Sequence, residues 1–476
     1  MLDISINDYN YPLPDEKIAL YPAAERSLSK LLVWNRGVIS ETVFKNAGMV
    51  LPKNTLLVFN DTRVVPARLV FTNNSGARIE IFFLEPHCPK ETVSFFAARE
   101  KVTVKCLIGN KKRWKNDTLT MQLPNDITLS AVLTSGNNIR NSDTLSDDNC
   151  GKTATKNDSR RTFANSQQDD NCEKIATKND CRKTFANGQQ DDNCGKTATK
   201  NDTFLVTLSW NTPALTFSQI LELAGKIPLP PYINRLADSK DRERYQTVFA
   251  RYDGSVAAPT AGLHFTGELL QQLQSEYGIE TAYLTLHVGA GTFKPIKTDN
   301  INEHEMHAEK FSITASTLEQ IKNAIRDKRP IIPVGTTSVR TLESLYYLAD
   351  RFNSAISPPC GNNNIYENNV SQWMPYEKEY IHTPLEAIEK LLNIVGTNTS
   401  PDSLPGELHA ATSLMIAPSY KFHFAAGIIT NFHQPKSTLL LLIAAMLGKE
   451  WKTVYNYALK NNFRFLSYGD SNLYIM

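Results

Sequence analysis

Hydrophobic positions follow a strand-like pattern in the first half of the chain. Between residues 56 and 210 they form short apolar runs separated by turn residues, which is typical of β-strands. The predicted strands are 56–60, 79–84, 93–97, 102–108, 119–123 and 204–210. The first of them, L-L-V-F-N, indicates a strand that is buried on both faces. Short strands at this spacing predict a small barrel or sandwich.

The pattern changes after residue 210, where helical and strand-like segments alternate. The predicted helices are 217–224, 242–252, 266–276, 316–326, 338–348 and 437–447. The predicted strands are 279–288, 331–334 and 427–430. Thr266 and a capping box of Ser316 with Glu319 mark helix starts, and Gly278 marks a helix end.

Strands that alternate with helices predict an α/β fold. We expect a larger mixed α/β domain with a small inserted β-barrel domain. Residues 1–66 would form the first part of the large domain, 67–209 the barrel domain, and 210–476 the remainder of the large domain.

Two stretches interrupt this organisation. The motif D-D-N-C recurs with a period of 22 residues, beginning at Asp147, Asp169 and Asp191. The repeats are too polar to bury a stripe against one another, so we expect a disordered insertion at about 137–202. The second stretch, 353–405, is rich in Asn, Pro, Ser and Gly at both ends. It predicts a surface excursion with one helical piece, T-P-L-E-A-I-E-K-L-L.

Composition limits the class of protein. The formal net charge of +2 excludes a strongly basic protein but allows a local basic face. No signal peptide is recognisable at the start, and the most apolar run, 439–447, is too short to span a bilayer. We therefore expect a soluble cytoplasmic protein. The seven cysteines include no C-x-x-C pair, which argues against a zinc site and a disulfide framework.

Two strand–loop–helix junctions carry candidate binding groups. In the first, 331–344, Gly335 precedes the hydroxyls of Thr336, Thr337 and Ser338 at a helix N-terminus, which suits a phosphate or carboxylate. The second, 428–442, carries the side chains of Asn431, His433 and Lys436. Ligands bind at the carboxyl ends of strands in open α/β sheets. A purely structural capping role of the Thr and Ser residues stays open.

Three further motifs carry candidate groups, but none of them matches a specific functional signature. The loop L-H-V-G-A-G-T-F carries Gly289 and Gly291, but the third glycine and the helix of a dinucleotide fingerprint are missing. His304 and His307 are one residue too close for the zincin motif H-E-x-x-H, so no metal is expected. Asp61 and Arg63 follow the first buried strand, where a structural ion pair is the alternative to a binding role.

The loop V-A-A-P-T-A-G-L-H-F-T, 256–266, concentrates backbone-special and hydrogen-bonding residues. Loops on a rigid scaffold are where chemistry is often placed. We expect Pro259 and Gly262 to fix the path of this loop, and Thr260 and His264 to point into a site.

Taken together, these motifs resemble the S-adenosylmethionine:tRNA ribosyltransferase-isomerase family of queuosine biosynthesis. The resemblance spans the chain except for the repeats and the 353–405 stretch. The motifs that carry it are Y-P-A-A-E-R at Tyr21, F-N-D-T-R-V-V-P-A-R-L at Phe59, G-K-I-P-L-P-P-Y-I at Gly225, E-R-Y-Q-T-V-F-A at Glu243, A-A-P-T-A-G-L-H-F-T at Ala257, L-H-V-G-A-G-T-F at Leu286, H-E-M-H-A-E at His304, V-G-T-T-S-V-R-T-L-E-S at Val334, T-N-F-H-Q-P-K-S-T-L-L at Thr430 and F-R-F-L-S-Y-G-D at Phe463.

The resemblance implies a reaction. Such enzymes transfer and isomerise the ribosyl group of S-adenosylmethionine onto 7-aminomethyl-7-deazaguanine at the tRNA wobble position, which gives epoxyqueuosine, adenine and methionine. S-adenosylmethionine is then a consumed substrate, and no cofactor, metal or membrane is expected. We find no association signal in the sequence and expect a monomer.

The resemblance also implies which loops matter, and the chemistry suggests roles. His264, His287 and His433 are the candidates for proton transfer, because histidine titrates in the useful pH range. The other candidates bind substrate, and the arginines among them would hold a carboxylate or phosphate. They are Asp61, Arg63, Glu243, Arg251, Thr260, Gly289, Gly291, Thr336, Thr337, Ser338, Arg340, Asn431 and Lys436.

Two departures from the family pattern keep an alternative open. Gln434 stands where the family has Leu, and Ser419 stands where it has Gly. The alternative is a catalytically inactive tRNA-binding relative; a nucleotide-dependent hydrolase built on the G-T-T-S loop is disfavoured because the phosphate-loop lysine motif is missing. The basic segment from Lys421 interleaves aromatic residues, for which RNA stacking and core packing are both open.

Overall fold

The structure is a computed structural model that describes residues 3–115, 117–135, 203–289, 296, 298–351, 368–397 and 406–476. By internal contacts the chain divides into one unit of 1–136 with 204–476 and another of 137–203. Of the second unit only Thr203 is described, so the predicted insertion lies outside the described residues. The structure does not test the predicted boundaries between the barrel domain and the large domain, which stay a prediction.

A mixed six-stranded sheet forms the centre of the large α/β part. Its strand order is β14-β3-β12-β13-β16-β15, with β14, β3 and β12 parallel. Successive residues of β3 point to opposite faces of the sheet, as strand geometry requires, and all are buried. The strands are β3 (Leu56–Asn60), β12 (Glu280–Leu286), β13 (Glu309–Thr314), β14 (Ile331–Pro333), β15 (Asn369–Val370) and β16 (Glu407–Thr412).

A four-stranded sheet continues this layer. Its order is β17-β18-β1-β2, and parallel bridges such as Val334 to Ile429 connect it to the end of β14. The carboxyl ends of β14 and β17 therefore lie side by side. The strands are β1 (Lys30–Asn35), β2 (Val38–Val43), β17 (Gly427–Asn431) and β18 (Ser471–Ile475).

Helices cover the sheets and bury their apolar faces in two clusters. Leu56 and Val58 belong to the larger cluster, whereas Leu57 and Phe59 belong to the smaller one across the sheet. The helices of this part are α1 (Ala47–Val50), α4 (Asp241–Arg244), α5 (Gly267–Tyr277), α6 (Ala315–Arg326), α7 (Thr336–Arg351), α8 (Met374–Glu377), α9 (Pro384–Thr397), α10 (Thr438–Leu447) and α11 (Glu450–Lys460).

The predicted barrel is an antiparallel six-stranded sheet in the order β5-β6-β7-β10-β9-β8. Its edge strands β5 and β8 contact each other, so the sheet is nearly closed around its own core. This confirms the predicted fold class. The elements are β5 (Arg68–Thr72), β6 (Arg78–Cys88), β7 (Lys101–Gly109), β8 (Leu119–Leu123), β9 (Ile127–Ser135), β10 (Phe204–Trp210), α2 (Thr92–Ala97) and α3 (Phe217–Ala224), and the short pair β4 (Thr62–Val64) and β11 (Tyr252–Ser255) lies beside them.

Four predictions about elements are wrong. The strand predicted at 93–97 is helix α2, whose first amides bond to the Glu91 carboxylate. The helix predicted at 242–252 shortens to α4, since residue 252 begins strand β11. Thr314, and not Ser316, caps α6. The described part of the 353–405 stretch is not confined to the surface, because Ile388 and Leu391 of α9 are fully buried.

The cysteines give one further difference. Cys88 is disulfide-bonded, which the cysteine spacing did not predict. Cys106 is a free buried thiol, and burial raises its pKa. A buried thiol of this kind behaves as a small apolar side chain.

Ser419, the departure from glycine, adopts φ +83° in an exposed turn. A side chain in this conformation is strained, whereas glycine adopts it freely. We predict that Ser419→Gly raises the free energy of unfolding by about 0.5 to 1 kcal/mol, measured by urea denaturation. Ser40→Gly, at an exposed position in strand β2, is the control and should lower it. An unchanged or lower stability of Ser419→Gly would contradict the strain.

Candidate active site

An open cavity lies where β14 and β17 end. This is the position at which open α/β sheets bind ligands. Three loops contribute to its wall: the one after β14, the one after β17, and the loop that begins at Ala257. The polar side chains that line it are Tyr232, Thr260, Thr336, Thr337, Thr430, Asn431, His433, Gln434, Ser437 and Ser467.

The start of α7 supplies hydrogen-bond donors to this cavity. Gly335 adopts φ +91°, and its amide donates to the Ile429 carbonyl of the neighbouring strand. Thr336 and Thr337 follow in the first turn and line the cavity. First-turn amides have no partner inside their helix, and the helix dipole favours negative charge there. This end of the cavity suits a carboxylate.

Three side chains form a hydrogen-bonded chain that begins in the cavity wall and ends behind it. Thr260 Oγ1 donates to Asn431 Oδ1 at 3.0 Å, and Asn431 Nδ2 donates to His264 Nε2 at 3.1 Å. The other ring nitrogen, Nδ1, lies 2.7 Å from Ser29 Oγ. Nε2 therefore accepts and Nδ1 carries the proton. Burial, with the positive charges of Arg464 and Arg26, lowers the pKa of His264 to about 3. His264 is neutral and does not line the cavity; it orients Asn431, which does.

His433 lines the cavity itself. Its backbone amide donates to the Tyr455 hydroxyl, and its carbonyl accepts from Tyr11, so the loop is fixed at this residue. Nε2 lies 3.0 Å from Thr430 Oγ1, and burial lowers the pKa of the ring to about 3. Among the described residues no hydrogen bond reaches Nδ1.

Packing explains why the loop at 256–266 needs glycine. A Cβ at Gly262 would lie 2.7 Å from Phe249 Cζ and 2.9 Å from Thr247 Cγ2. Both contacts are too short for real atoms. Gly262 thus lets the short 3-10 helix Thr260–His264 pack closely, while Pro259 and Thr260 line the cavity.

Three predicted residues near the cavity have other partners. Ser338 Oγ donates to the Val334 carbonyl. The Arg340 guanidinium is buried and bonds to Glu309 at 2.6 Å and to two backbone carbonyls. Lys436 Nζ donates to Asn7 Oδ1 at 2.8 Å. None of the three lines the cavity, so the structure offers no direct support for their binding roles.

A second group of predicted residues surrounds the end of β12. His287 Nδ1 is buried without a hydrogen bond to the described residues, and burial lowers the ring pKa to about 4. Burial raises the pKa of Asp61 to about 6, against the hydrogen bond from Thr285 and the charge of Arg251. Neither His287 nor Asp61 lines the cavity. Gly289 follows His287 by two residues, and Gly291 lies outside the described residues.

The remaining predicted residues contact protein groups. Arg63 is exposed and lies 3.6 Å from Glu222 and 3.8 Å from Asp253, so its ion-pair partners are these carboxylates and not Asp61. Arg251 stacks on the Tyr283 ring at 5.0 Å. Glu243 is exposed, and its carbonyl accepts from Arg26.

Sequence reasoning missed several residues of the cavity wall, among them Tyr232, Leu466 and Ser467. Tyr232 and Ser467 share a hydrogen bond, and Leu466 adopts the left-handed conformation at φ +68°. Such strain in a bulky residue is often found at functional sites. Leu466 and Ser467 lie in the motif F-R-F-L-S-Y-G-D and Tyr232 lies in G-K-I-P-L-P-P-Y-I, but the patterns alone did not show which side chains face a ligand.

The aromatic residues of the C-terminal segment form core, with five of the six buried and Tyr457 partly buried. They give no stacking platform for RNA. The buried ones are Trp451, Tyr455, Phe463, Phe465 and Tyr468. Within the described ranges, no helix is long and apolar enough to cross a membrane, and no three potential metal ligands cluster.

The buried histidines predict how stability depends on pH. The rings of His264, His433 and His287 stay neutral in the fold, whereas in the unfolded chain they bind protons below about pH 6.5. Their contribution to the free energy of unfolding is complete above that pH and is lost as the pH falls toward 3 to 4. The contribution of each ring falls by up to about 1.4 kcal/mol per pH unit. Asp61, with its raised pKa, opposes this trend between about pH 6 and 4.

We therefore expect the urea midpoint to fall between pH 7 and pH 5. His287→Leu should fall less steeply than the unsubstituted protein, because one proton-binding ring has been removed. Parallel curves for the two proteins would show that His287 titrates normally in the fold.

Comparison with known proteins gives a consistent picture. A family model described as "Queuosine biosynthesis protein" matches residues 6–152, 154–367 and 381–474. Two relatives carry the name S-adenosylmethionine:tRNA ribosyltransferase-isomerase. The protein from Geotalea uraniireducens is 32% identical over 98% of this chain and 99% of its own length. The protein from Sulfurihydrogenibium sp. is 31% identical over 99% of this chain and 100% of its own length. A crystal structure of S-adenosylmethionine tRNA ribosyltransferase from Thermotoga maritima aligns at 22% identity with TM-score 0.39, over 98% of this chain and all of that one.

Proposed function

Since the chain belongs to the queuosine biosynthesis family of S-adenosylmethionine:tRNA ribosyltransferase-isomerases, we propose that it builds epoxyqueuosine in the cavity between β14 and β17. The ribosyl group of S-adenosylmethionine would be transferred and isomerised onto 7-aminomethyl-7-deazaguanine in the tRNA anticodon. Adenine and methionine would be released. The protein would act as a monomer.

The reaction has three needs that this cavity can be tested against. The aminomethyl group must be uncharged to attack, and burial beside the sulfonium cation lowers the pKa of an amine. The ribose carbon beside the sulfonium must lose a proton to a base. The departing adenine must be stabilised by a hydrogen-bond donor or an acid.

His433 suits the stabilisation of adenine. A ring with a pKa of about 3 is neutral at pH 7 and a poor proton acceptor. If the Thr430 hydroxyl donates to Nε2, the ring carries its proton on Nδ1, which we place toward the leaving base. An N–H aimed at the leaving base stabilises the charge that develops there.

The methionine carboxylate fits the start of α7. The amides of the first turn and the hydroxyls of Thr336 and Thr337 are the donors, and the helix dipole adds to their effect. Asn431, held by His264 and Thr260, faces the same cavity with a fixed amide. We assign it to orienting the ribose hydroxyls.

The observation that carries this proposal is the convergence of three family motifs on one cavity. The motifs are A-P-T-A-G-L-H, V-G-T-T-S and T-N-F-H-Q, and each contributes a polar side chain to the wall. An unpaired anticodon-loop base can be splayed into such a cavity at low cost.

Adenine release tests the proposal. Purified protein is mixed with S-adenosylmethionine and tRNA carrying the aminomethyl base, and adenine is followed by chromatography. The proposal requires release that depends on that tRNA.

The inactive relative is the second candidate, because Gln434 lines the cavity. It predicts tRNA binding without adenine, and recovery of release in Gln434→Leu. We expect Gln434→Leu to change the rate by less than about tenfold, because Gln434 is not assigned to the chemistry. Measured kcat values for the two proteins decide between these outcomes.

A further inference from the structure

A second, smaller cavity adjoins the proposed active site. Ser467 lines both cavities. His264 lines the second one and, through Nε2, holds Asn431 in the wall of the first. The His264 ring and Ser467 therefore form part of a common wall between the two spaces.

The second cavity is lined by the guanidinium-bearing residues Arg26, Arg244 and Arg464. Arg464 pairs with Asp470 at 3.2 Å. Arg26 and Arg244 have no carboxylate oxygen within 4.0 Å among the described residues; both donate to backbone carbonyls. Three guanidinium groups thus face the carboxylate of Asp470, with the exposed Glu243 carboxylate nearby, so positive charge is in excess.

Unused binding capacity remains in this cluster. Arg244 Nε is buried and makes no hydrogen bond to the described residues. Burial and the nearby charge of Arg244 lower the pKa of Arg26, while the exposed Glu243 carboxylate acts in the opposite direction. Cations that are desolvated close to one another are stabilised when an anion binds between them.

We propose that this cavity binds a phosphate of the RNA backbone, next to the nucleotide whose base enters the active site. The proposal rests on the proposed function. Guanidinium groups match phosphate oxygens in a two-point geometry, and phosphate contacts commonly fix the register of a bound nucleic acid. The position fits, since a phosphate and its own base are one ribose apart and these cavities share a wall.

The cavity would place the wobble nucleotide by its backbone, independently of the base. His264 then links phosphate binding to substrate binding. One ring nitrogen faces Ser29 in the phosphate cavity, and the other holds Asn431 beside the substrate. A methionine carboxylate is the other anion of the reaction. It would need only one of the three arginines and already has the donors at the start of α7.

The test is the salt dependence of tRNA binding. Each lost phosphate contact lowers the slope of log K against log salt by about 0.7 to 0.9. We expect Arg244→Gln to weaken tRNA binding about tenfold at moderate salt and to lower the slope by about one contact. Its affinity for S-adenosylmethionine should stay within about twofold.

Arg242→Gln is the matched control. Arg242 lies two residues away on α4 and is exposed, with Glu222 3.6 Å distant, so the same charge is removed outside the cavity. It should change the slope by less than half as much. Arg464→Gln is the second cavity variant, and it replaces Arg244→Gln if the latter has a lowered melting temperature.

The outcomes distinguish failure of the phosphate cavity from failure of the proposed function. An unchanged slope in both cavity variants, with the unsubstituted protein binding tRNA and releasing adenine, overturns the phosphate cavity alone. Loss of S-adenosylmethionine affinity with an unchanged slope assigns the cavity to the carboxylate instead. Failure of the unsubstituted protein to bind tRNA overturns the proposed function and the phosphate cavity together.

Discussion

His433→Phe is expected to lower the rate of tRNA-dependent adenine release by at least about 100-fold, in the range typical of a lost acid–base or hydrogen-bonding group. Phenylalanine fills a similar volume, so the loop should stay packed and the melting temperature should change by only a few degrees. The N–H on Nδ1, which the proposal places beside the leaving base, is lost. The measurement is kcat at saturating tRNA and S-adenosylmethionine.

His307→Phe is the control for this variant, because His307 is exposed and lies away from the cavity. It should retain the rate of the unsubstituted protein. Full activity of His433→Phe would remove His433 from the chemistry. A large loss of melting temperature in His433→Phe would indicate a packing role in its place.

Arg340→Met is expected to destabilise the fold by about 3 to 5 kcal/mol, because it removes the guanidinium that pairs with the buried Glu309 carboxylate. The two side chains are both nearly fully buried and lie 2.6 Å apart. The double variant Arg340→Met with Glu309→Leu should recover much of this loss, since a buried ion pair can be replaced by apolar groups of similar volume.

Urea unfolding of the two single variants and the double variant forms a cycle that measures this coupling. The same variants decide whether Arg340 holds a substrate anion, as its motif suggested. A normal stability of Arg340→Met with an S-adenosylmethionine KM raised more than tenfold would show that Arg340 reaches the substrate.

The sequence predicted the core elements where local pattern and packing agree. The segment from Leu56 to Phe59 is apolar throughout because β3 is covered by helices on both sides. Thr266 and Gly278 bound α5 as predicted, since both caps are local interactions of the chain with itself.

Prediction failed where distant contacts decide the local structure. Tyr245 and Phe249 have helical spacing in the 242–252 segment, yet Tyr245 is fully buried against Tyr468 from the C-terminal segment. That contact is invisible in the pattern. The wrong strand at 93–97 has a local cause, because a glutamate acts as the helix cap in place of the usual Ser, Thr, Asp or Asn.

In the candidate site, too, the sequence predicted some features and missed those that depend on distant contacts. Motif positions identified the loops, and Thr260, Thr336, Thr337, Asn431 and His433 do line one cavity. The motifs could not separate a side chain that faces the cavity from one that supports its neighbour. His264 supports Asn431 from behind, and this difference depends on hydrogen bonds between residues 167 positions apart.

The most direct measurement is the release of adenine from S-adenosylmethionine, with and without tRNA that carries 7-aminomethyl-7-deazaguanine. The proposed function predicts release only with that tRNA, together with a gain of the ribosyl-derived mass on the modified nucleoside. Tight tRNA binding without adenine or mass gain, under conditions in which a family relative is active, would contradict it.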